Sequence, residues 1–232
     1  LNQVTFSYPQ QPSPALENIS LQVGAGEHIA ILGRTGCGKS TLLALLTGIN
    51  TLTSGSLSVL NTDLVSLSAS QRDKFRADHI GYIFQQFNLL PYLNVLENVL
   101  LPCQFSQTRR GRAHSRVPSQ TLEEQAQALL ERLHLPSELH ARPVSELSIG
   151  QQQRVAAARA LIGYPGLVIA DEPTSALDHD NRKAFIELLM EQTNQANATL
   201  IFVSHDPTLE PLFDRTLNLP DINQASNLGA AS

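Results

Sequence analysis

Two cysteines in 232 residues are too few for a disulfide framework, and so low a count suits a reducing compartment. Basic residues are also scarce. Sixteen Lys and Arg against 21 Asp and Glu leave a formal net charge of -5, which gives no sign of the basic face that a nucleic-acid partner requires. No apolar run approaches the ~18 residues of a bilayer-spanning helix. No basic-then-apolar leader opens the chain, and no internal repeat is visible. An apolar fraction of 42% is nevertheless enough for a full core. The length fits one large α/β domain, or one domain with a modest subdomain.

The chain is organised around Gly33 to Thr41, GRTGCGKST. A short apolar run, HIAIL at 28–32, precedes it, and an apolar helical pattern, LLALL at 42–46, follows. That order predicts strand, tight glycine loop, helix. Glycines 33, 36 and 38 let the backbone turn sharply and point successive N–H groups inward. The helix N-terminus adds its dipole, which completes a cradle for phosphate oxygens. Lys39 can reach the β- and γ-phosphates, and the Ser40 hydroxyl can face Mg²⁺. The pattern GxxxxGK[ST] is matched in full and predicts a nucleoside triphosphate site.

Strands and helices alternate along the rest of the chain, which implies a mostly parallel sheet covered by helices. Before the glycine loop, Val4, Phe6 and Tyr8 alternate, as do Ile19, Leu21 and Val23, and predict a small antiparallel sheet. IGYIF at 80–84 reads as a strand and ends at Gln85. Asn94 is placed to cap a short helix over 95–101. Residues 106–120, SQTRRGRAHSRVPSQ, hold four arginines and no acid. This stretch reads as a loop or poorly ordered insert, either solvated or in contact with anionic lipid headgroups. Thr121 and Glu124 have the form of a capping box ahead of a helix to Leu135. A polar tail, 223–232, reads as frayed.

Two adjacent carboxylates, Asp171 and Glu172, follow the apolar strand LVIA. Asp171 is suited to hold Mg²⁺ through its water, and Glu172 to polarise a water attacking the γ-phosphate. The Gln85 amide can ligate Mg²⁺ or hold water. His205, at the end of the strand LIFVS, can donate to a γ-phosphate oxygen. Tyr8 can stack on a base or pack in the core.

These motifs together resemble the nucleotide-binding subunit of an ATP-binding cassette transporter. Beyond GRTGCGKST and LVIADEPT, the chain carries LSIGQQQRVAAARAL at 147–161, SALD at 175–178 and SHD at 204–206, in family order and spacing. The similarity runs from about Val4 to Leu219. It implies an ATPase fold with an N-terminal antiparallel β subdomain and a helical signature subdomain. It implies that Tyr8 stacks on adenine and that Gly33, Arg34, Thr35, Gly36, Cys37, Gly38, Lys39, Ser40 and Thr41 form the Walker A loop. Gln85 then matches the Q-loop glutamine, Asp171 the Walker B aspartate, Glu172 the catalytic glutamate and His205 the switch histidine. Ser148, Gly150 and Gln151 match the signature that grips ATP held by a second subunit, and Asp178 closes the D-loop. The family usually has glycine where Ile149 stands, and the Ile side chain is expected to crowd the nucleotide-facing loop.

The resemblance implies ATP and Mg²⁺ as cofactors, and a head-to-tail, homodimeric pair of these subunits. It also implies integral membrane permease partners and a peripheral position on the cytoplasmic face of the inner or plasma membrane. The expected layout is one ATPase domain over 1–222, with a helical subdomain at about 87–162 and the basic insert inside it. The apolar stretch 87–101 is the expected docking surface. TSGSL, IGYIFQQFNLLP and ENVLLP look most like the export branch, which includes lipoprotein-releasing and macrolide-export ATPases. An importer of amino acids or other small solutes shares much of this wording. A weakly hydrolysing regulatory module is left open by Ile149. DNA-repair and translation ATPases of the family typically carry two cassettes or a long coiled-coil insertion, and this chain has neither.

Overall fold

The computed structural model describes residues 1–9, 11, 13–175 and 179–225, the side chains of 179 and 180 excepted. The chain forms two compact units, one of Leu1–Arg76 with Ile201–Ser232 and one of Ala77–Leu200.

The first unit opens with strands β1 (Asn2–Phe6) and β2 (Leu16–Ile19). They pair antiparallel, with Val4 opposite Ile19 and Phe6 opposite Leu16, and these four side chains are buried. Strand β3 (His28–Leu32) is buried along its whole length, as a strand covered on both faces should be. The glycine loop leads from it into helix α1 (Lys39–Leu46). Short strands β4 (Ser54–Ser56), β5 (Ser58–Val59) and β6 (Thr62–Asp63) follow, and β4 extends the β1–β2 sheet. Helix α2 (Ala69–His79) leads out of this unit.

The second unit begins at the end of α2 and continues with strand β7 (Ile80–Ile83). Helix α3 (Val95–Phe105) carries the predicted cap, in which the Asn94 side chain accepts from Glu97 N–H and Glu97 returns the bond to Asn94 N–H. It runs four residues past the expected end, through Pro102. Pro102 lacks a donor, but its carbonyl accepts from Ser106 N–H at 3.0 Å, and Cys103 is fully buried behind it.

Residues 106–120 are not a loop. Helix α4 (Gln107–Arg116) occupies most of them, capped by the Ser106 hydroxyl. Its arginines turn inward to backbone carbonyls. Arg109, 2% exposed, donates to the carbonyls of Ala77 (2.9 Å), Ile80, Ile162 (3.0 Å) and Ala160 (3.3 Å). Arg110 donates to Cys103 O and Arg112 to Asp78 O. Arg116 donates to Gln195 O and lies 4.5 Å from the centre of the Tyr164 ring. A helix with little apolar periodicity is thus held by cations on the carbonyl-bearing ends of its neighbours.

Helix α5 (Leu122–Arg132) has the predicted Thr121–Glu124 capping box. Helix α6 (Ile149–Leu161) follows two short 3₁₀ turns, and strand β8 (Leu167–Asp171) then pairs parallel with β7. Helix α7 (His179–Ala196) leads to strand β9 (Thr199–Ser204), which is buried throughout and begins in this unit. The chain then returns to the first unit. There strand β10 (Arg215–Asn218) pairs parallel with β3, and a single turn, α8 (Leu219–Ile222), ends the regular structure. No helix among the described residues is long and apolar enough to cross a membrane.

Candidate nucleotide-binding site

In the first unit the glycine loop is built as its residue types require. Gly36 (φ 84°) and Gly38 (φ 106°) lie in the left-handed region. A Cβ on Gly38 would stand 2.8 Å from Leu16 Cδ2 and 3.2 Å from Ala15 O, so only glycine fits there. Gly38 is also the N-cap of α1 and offers no side chain to the helix's first N–H groups. An uncapped helix N-terminus behind a glycine loop fits phosphate oxygens. The Lys39 ammonium donates to the carbonyls of Gly33 (2.6 Å) and Arg34 (3.3 Å). A phosphate oxygen, being charged, is a stronger acceptor than either.

Tyr8 lies beside this loop. Its hydroxyl is 3.1 Å from Thr41 Oγ1, its ring meets Phe6 edge-on at 4.9 Å, and it is 38% exposed. The ring is therefore accessible for stacking. His205 is exposed and follows β9 directly. One residue of this region carries no sequence signal. Asn223, placed by the sequence in a frayed tail, is 2% exposed and donates to the carbonyls of Ala15 (3.1 Å) and Cys37 (3.3 Å).

In the second unit, β7 and β8 run parallel with Ile83 opposite Ala170. Both strands end on the same side, which carries Gln85, Asp171 and Glu172 there. Gln85 is exposed. The Tyr82 hydroxyl donates to Asp171 Oδ2 at 3.3 Å. Burial, reinforced by the Asp171 charge, pushes the Tyr82 phenol well above its ordinary value, so it stays a donor. Glu172 adopts φ 45°, an uncommon conformation for a residue with a side chain, and such strain concentrates at functional sites. Gln153 Nε2 donates to Pro173 O at 2.9 Å and ties α6 to the segment after Glu172. Asp178 lies outside the described residues.

The stretch 147–151 begins α6. Ser148 is the N-cap, its hydroxyl accepting from Gln151 N–H at 3.3 Å, while Gln151 Oε1 accepts from Ser148 N–H at 2.9 Å. The hydroxyl keeps its own proton to donate outward. Ile149 is the first helical residue and is 53% exposed. Gly150 has open space where a Cβ would be.

The model of the family described as ABC transporter matches residues 16–175. The chain belongs to the ABC transporter family. It is that family's ATP-binding, ATP-hydrolysing domain. The lipoprotein-releasing system ATP-binding protein LolD of Hydrogenovibrio crunogenus is 39% identical, over 90% of this chain and 86% of LolD. The macrolide export ATP-binding/permease protein MacB of Syntrophobacter fumaroxidans is also 39% identical, over 94% of this chain, which spans 29% of MacB. Among solved structures, a dimeric post-hydrolysis state of an ATP-binding cassette bound to ADP and Pi has a TM-score of 0.77 and 33% identity, with 94% of each chain covered. The α/β fold with its antiparallel N-terminal strands is thus the ABC cassette fold.

No group of three or more His, Cys, Asp or Glu suited to a metal occurs among the described residues. Mg²⁺ held with ATP needs fewer protein ligands than that, since it keeps waters and phosphate oxygens. In the first unit the Ser40 hydroxyl, and in the second the Asp171 carboxylate and the Gln85 amide, are each hard oxygen donors of the kind Mg²⁺ takes.

Proposed function

We propose that this chain is the ATPase subunit of a membrane exporter or extractor acting on lipid, lipoprotein or peptide-like substrates, and that it works as a head-to-tail homodimer bound peripherally to integral permease subunits on the cytoplasmic face of the membrane. The observation that carries the reading is the contrast between two helix starts. Helix α1 begins on a bare glycine, while α6 begins on a serine that keeps a hydroxyl proton to give. The likeness to LolD over most of both chains favours the export branch over an importer.

In this reading the amides of 36–41 and the Lys39 ammonium bind the β- and γ-phosphates, and Tyr8 packs on the base. The Glu172 carboxylate accepts a hydrogen bond from the attacking water, and His205 donates to a γ-phosphate oxygen. Ser40, Asp171 and Gln85 would hold Mg²⁺, which when bound would offset charge on the phosphates. The Ser148 hydroxyl and Gly150 N–H of a second copy reach the same γ-phosphate, and Asp178 crosses the dimer interface. Loss of that phosphate removes the shared contacts and reopens the pair.

The exposed aromatics Tyr92 and Phe105, 77% and 80% accessible, with Phe84 at 39%, offer the permease a surface. Within 87–101 itself Tyr92 is the exposed aromatic, while Phe87, Val95 and Val99 are buried. The four arginines of 106–120 donate to the chain's own carbonyls, which leaves them less free to contact anionic lipid.

Glu172→Gln tests the catalytic assignment. It removes the charged acceptor for the water but leaves the phosphate contacts. ATP should convert the variant to a dimer by light scattering, with turnover down about 100-fold or more. A monomer in ATP with unchanged turnover overturns the assignment. Purification from membranes with identification of the co-purifying integral protein tests the partner.

A further inference from the structure

A loop that turns its N–H groups toward an anion must turn carbonyls away from it, and those carbonyls need donors of their own. Behind the glycine loop the outward carbonyl of Cys37 accepts from Asn223 Nδ2 at 3.3 Å. The same Nδ2 donates to Ala15 O at 3.1 Å. Asn223 Oδ1 accepts from Glu17 N–H at 2.9 Å and from Ala225 N–H at 3.2 Å. Two carbonyls on one side of the amide and two N–H groups on the other fix which atom is nitrogen.

The rest of the segment supports this placement. Asn223 N–H closes α8 onto Leu219 O, and Leu219 is fully buried. Gln224 N–H donates to Glu17 O at 3.2 Å, so side chain and backbone together extend the edge of β2. Pro220 lies behind the loop's first glycine, where a Cβ on Gly33 would meet Pro220 Cδ at 3.2 Å. Asn223 is 2% exposed. Its amide therefore bridges β2, which already blocks any side chain at Gly38, to the carbonyl one residue before Gly38.

We propose that Asn223 is a positioning residue for ATP binding: it holds the Cys37 carbonyl outward and so presets the phosphate-facing amides of the loop. The proposal rests on the reading of 33–41 as the phosphate loop. Ordering the loop before ATP arrives removes an entropic cost from binding, so the effect falls on affinity rather than on the chemical step.

The test compares Asn223→Asp and Asn223→Ala with Lys39→Ala in the full chain. ATP affinity, the KM for ATP and amide hydrogen exchange across 33–41 without nucleotide are measured below the melting temperature of every variant. Asn223→Asp preserves shape, removes the donor and sets a carboxylate against two carbonyl oxygens. The expected result is ATP binding weaker and KM higher by about 3–10-fold, the scale of one hydrogen bond, with kcat within about twofold and faster exchange within 33–41. A lower melting temperature with unchanged ATP affinity and unchanged loop exchange overturns the proposal. If Lys39→Ala binds ATP as tightly as the parent chain, the reading of the loop fails and the proposal falls with it. If Lys39→Ala loses ATP while both Asn223 variants keep it, only the role of Asn223 is refuted.

Discussion

Arg159, in the last turn of α6, donates through both terminal nitrogens to the carbonyls of Phe87 (2.5 Å) and Asn88 (2.7 Å). Both acceptors sit in the left-handed region, Phe87 at φ 59° and Asn88 at φ 49°. Asn88 tolerates that region, but a bulky Phe87 does not, so the turn after Gln85 is strained at Phe87 and gains from an external hold. The helix that begins at Ser148 supplies that hold at its other end.

Arg159→Ala is therefore expected to destabilise the fold by about 2 kcal/mol, the loss of charge-assisted hydrogen bonds to backbone. Arg159→Lys keeps a charge without the fork and should fall between. Denaturant midpoints measure both, and amide exchange should rise first at 85–90.

The buried Arg109 is the larger anchor. Its replacement by Met fills similar space but leaves four carbonyls without their donor. At ~1 kcal/mol each, the expected loss is roughly 4 kcal/mol. Arg110→Ala, at an exposed position, should cost under about 1 kcal/mol. Urea unfolding separates the two, and equal losses would contradict the anchoring role of Arg109.

His28 gives a pH signature. Burial lowers its pKa, partly opposed by the Asp214 carboxylate. In the unfolded chain histidine titrates near 6.5, above the folded value. The unfolded chain thus binds more protons in between, and stability is full above pH 6.5 and falls as pH drops below it. Melting temperatures from pH 8 to 5 should fall less steeply in His28→Gln than in the parent.

Much of this architecture was legible because its causes are local. A glycine loop between an apolar strand and helix, an N-cap at Asn94 and a capping box at Thr121–Glu124 lie within a few residues of chain. The helix at 107–116 was not legible, since its stability comes from guanidinium groups reaching carbonyls up to 79 residues away, as Arg116 reaches Gln195. Tyr82 and Asp171, 89 residues apart, meet only because their strands are paired. Asn223 meets Cys37 across 186 residues, and a polar residue near the end of a chain gives no sign of burial.

Ile149 begins α6 and is 53% exposed in the single chain, at the position where the family usually has glycine. Ile149→Gly is expected to change stability by no more than about 1 kcal/mol, mostly helix propensity. ATPase activity should be preserved or rise. A clear fall in turnover with unchanged melting would mean that Ile149 contributes a contact outside its own chain.

In the proposed pair, two copies enclose ATP with Ser148 of one facing the phosphate loop of the other. The most direct measurement mixes two single-cysteine chains in the Glu172→Gln background, with Cys37 and Cys103 both replaced by serine. One chain carries Thr35→Cys, in the exposed part of the phosphate loop, and the other carries Ser148→Cys. A short bifunctional thiol reagent should join the two chains in ATP and leave them separate without nucleotide. Failure to join them in any nucleotide state would contradict the account.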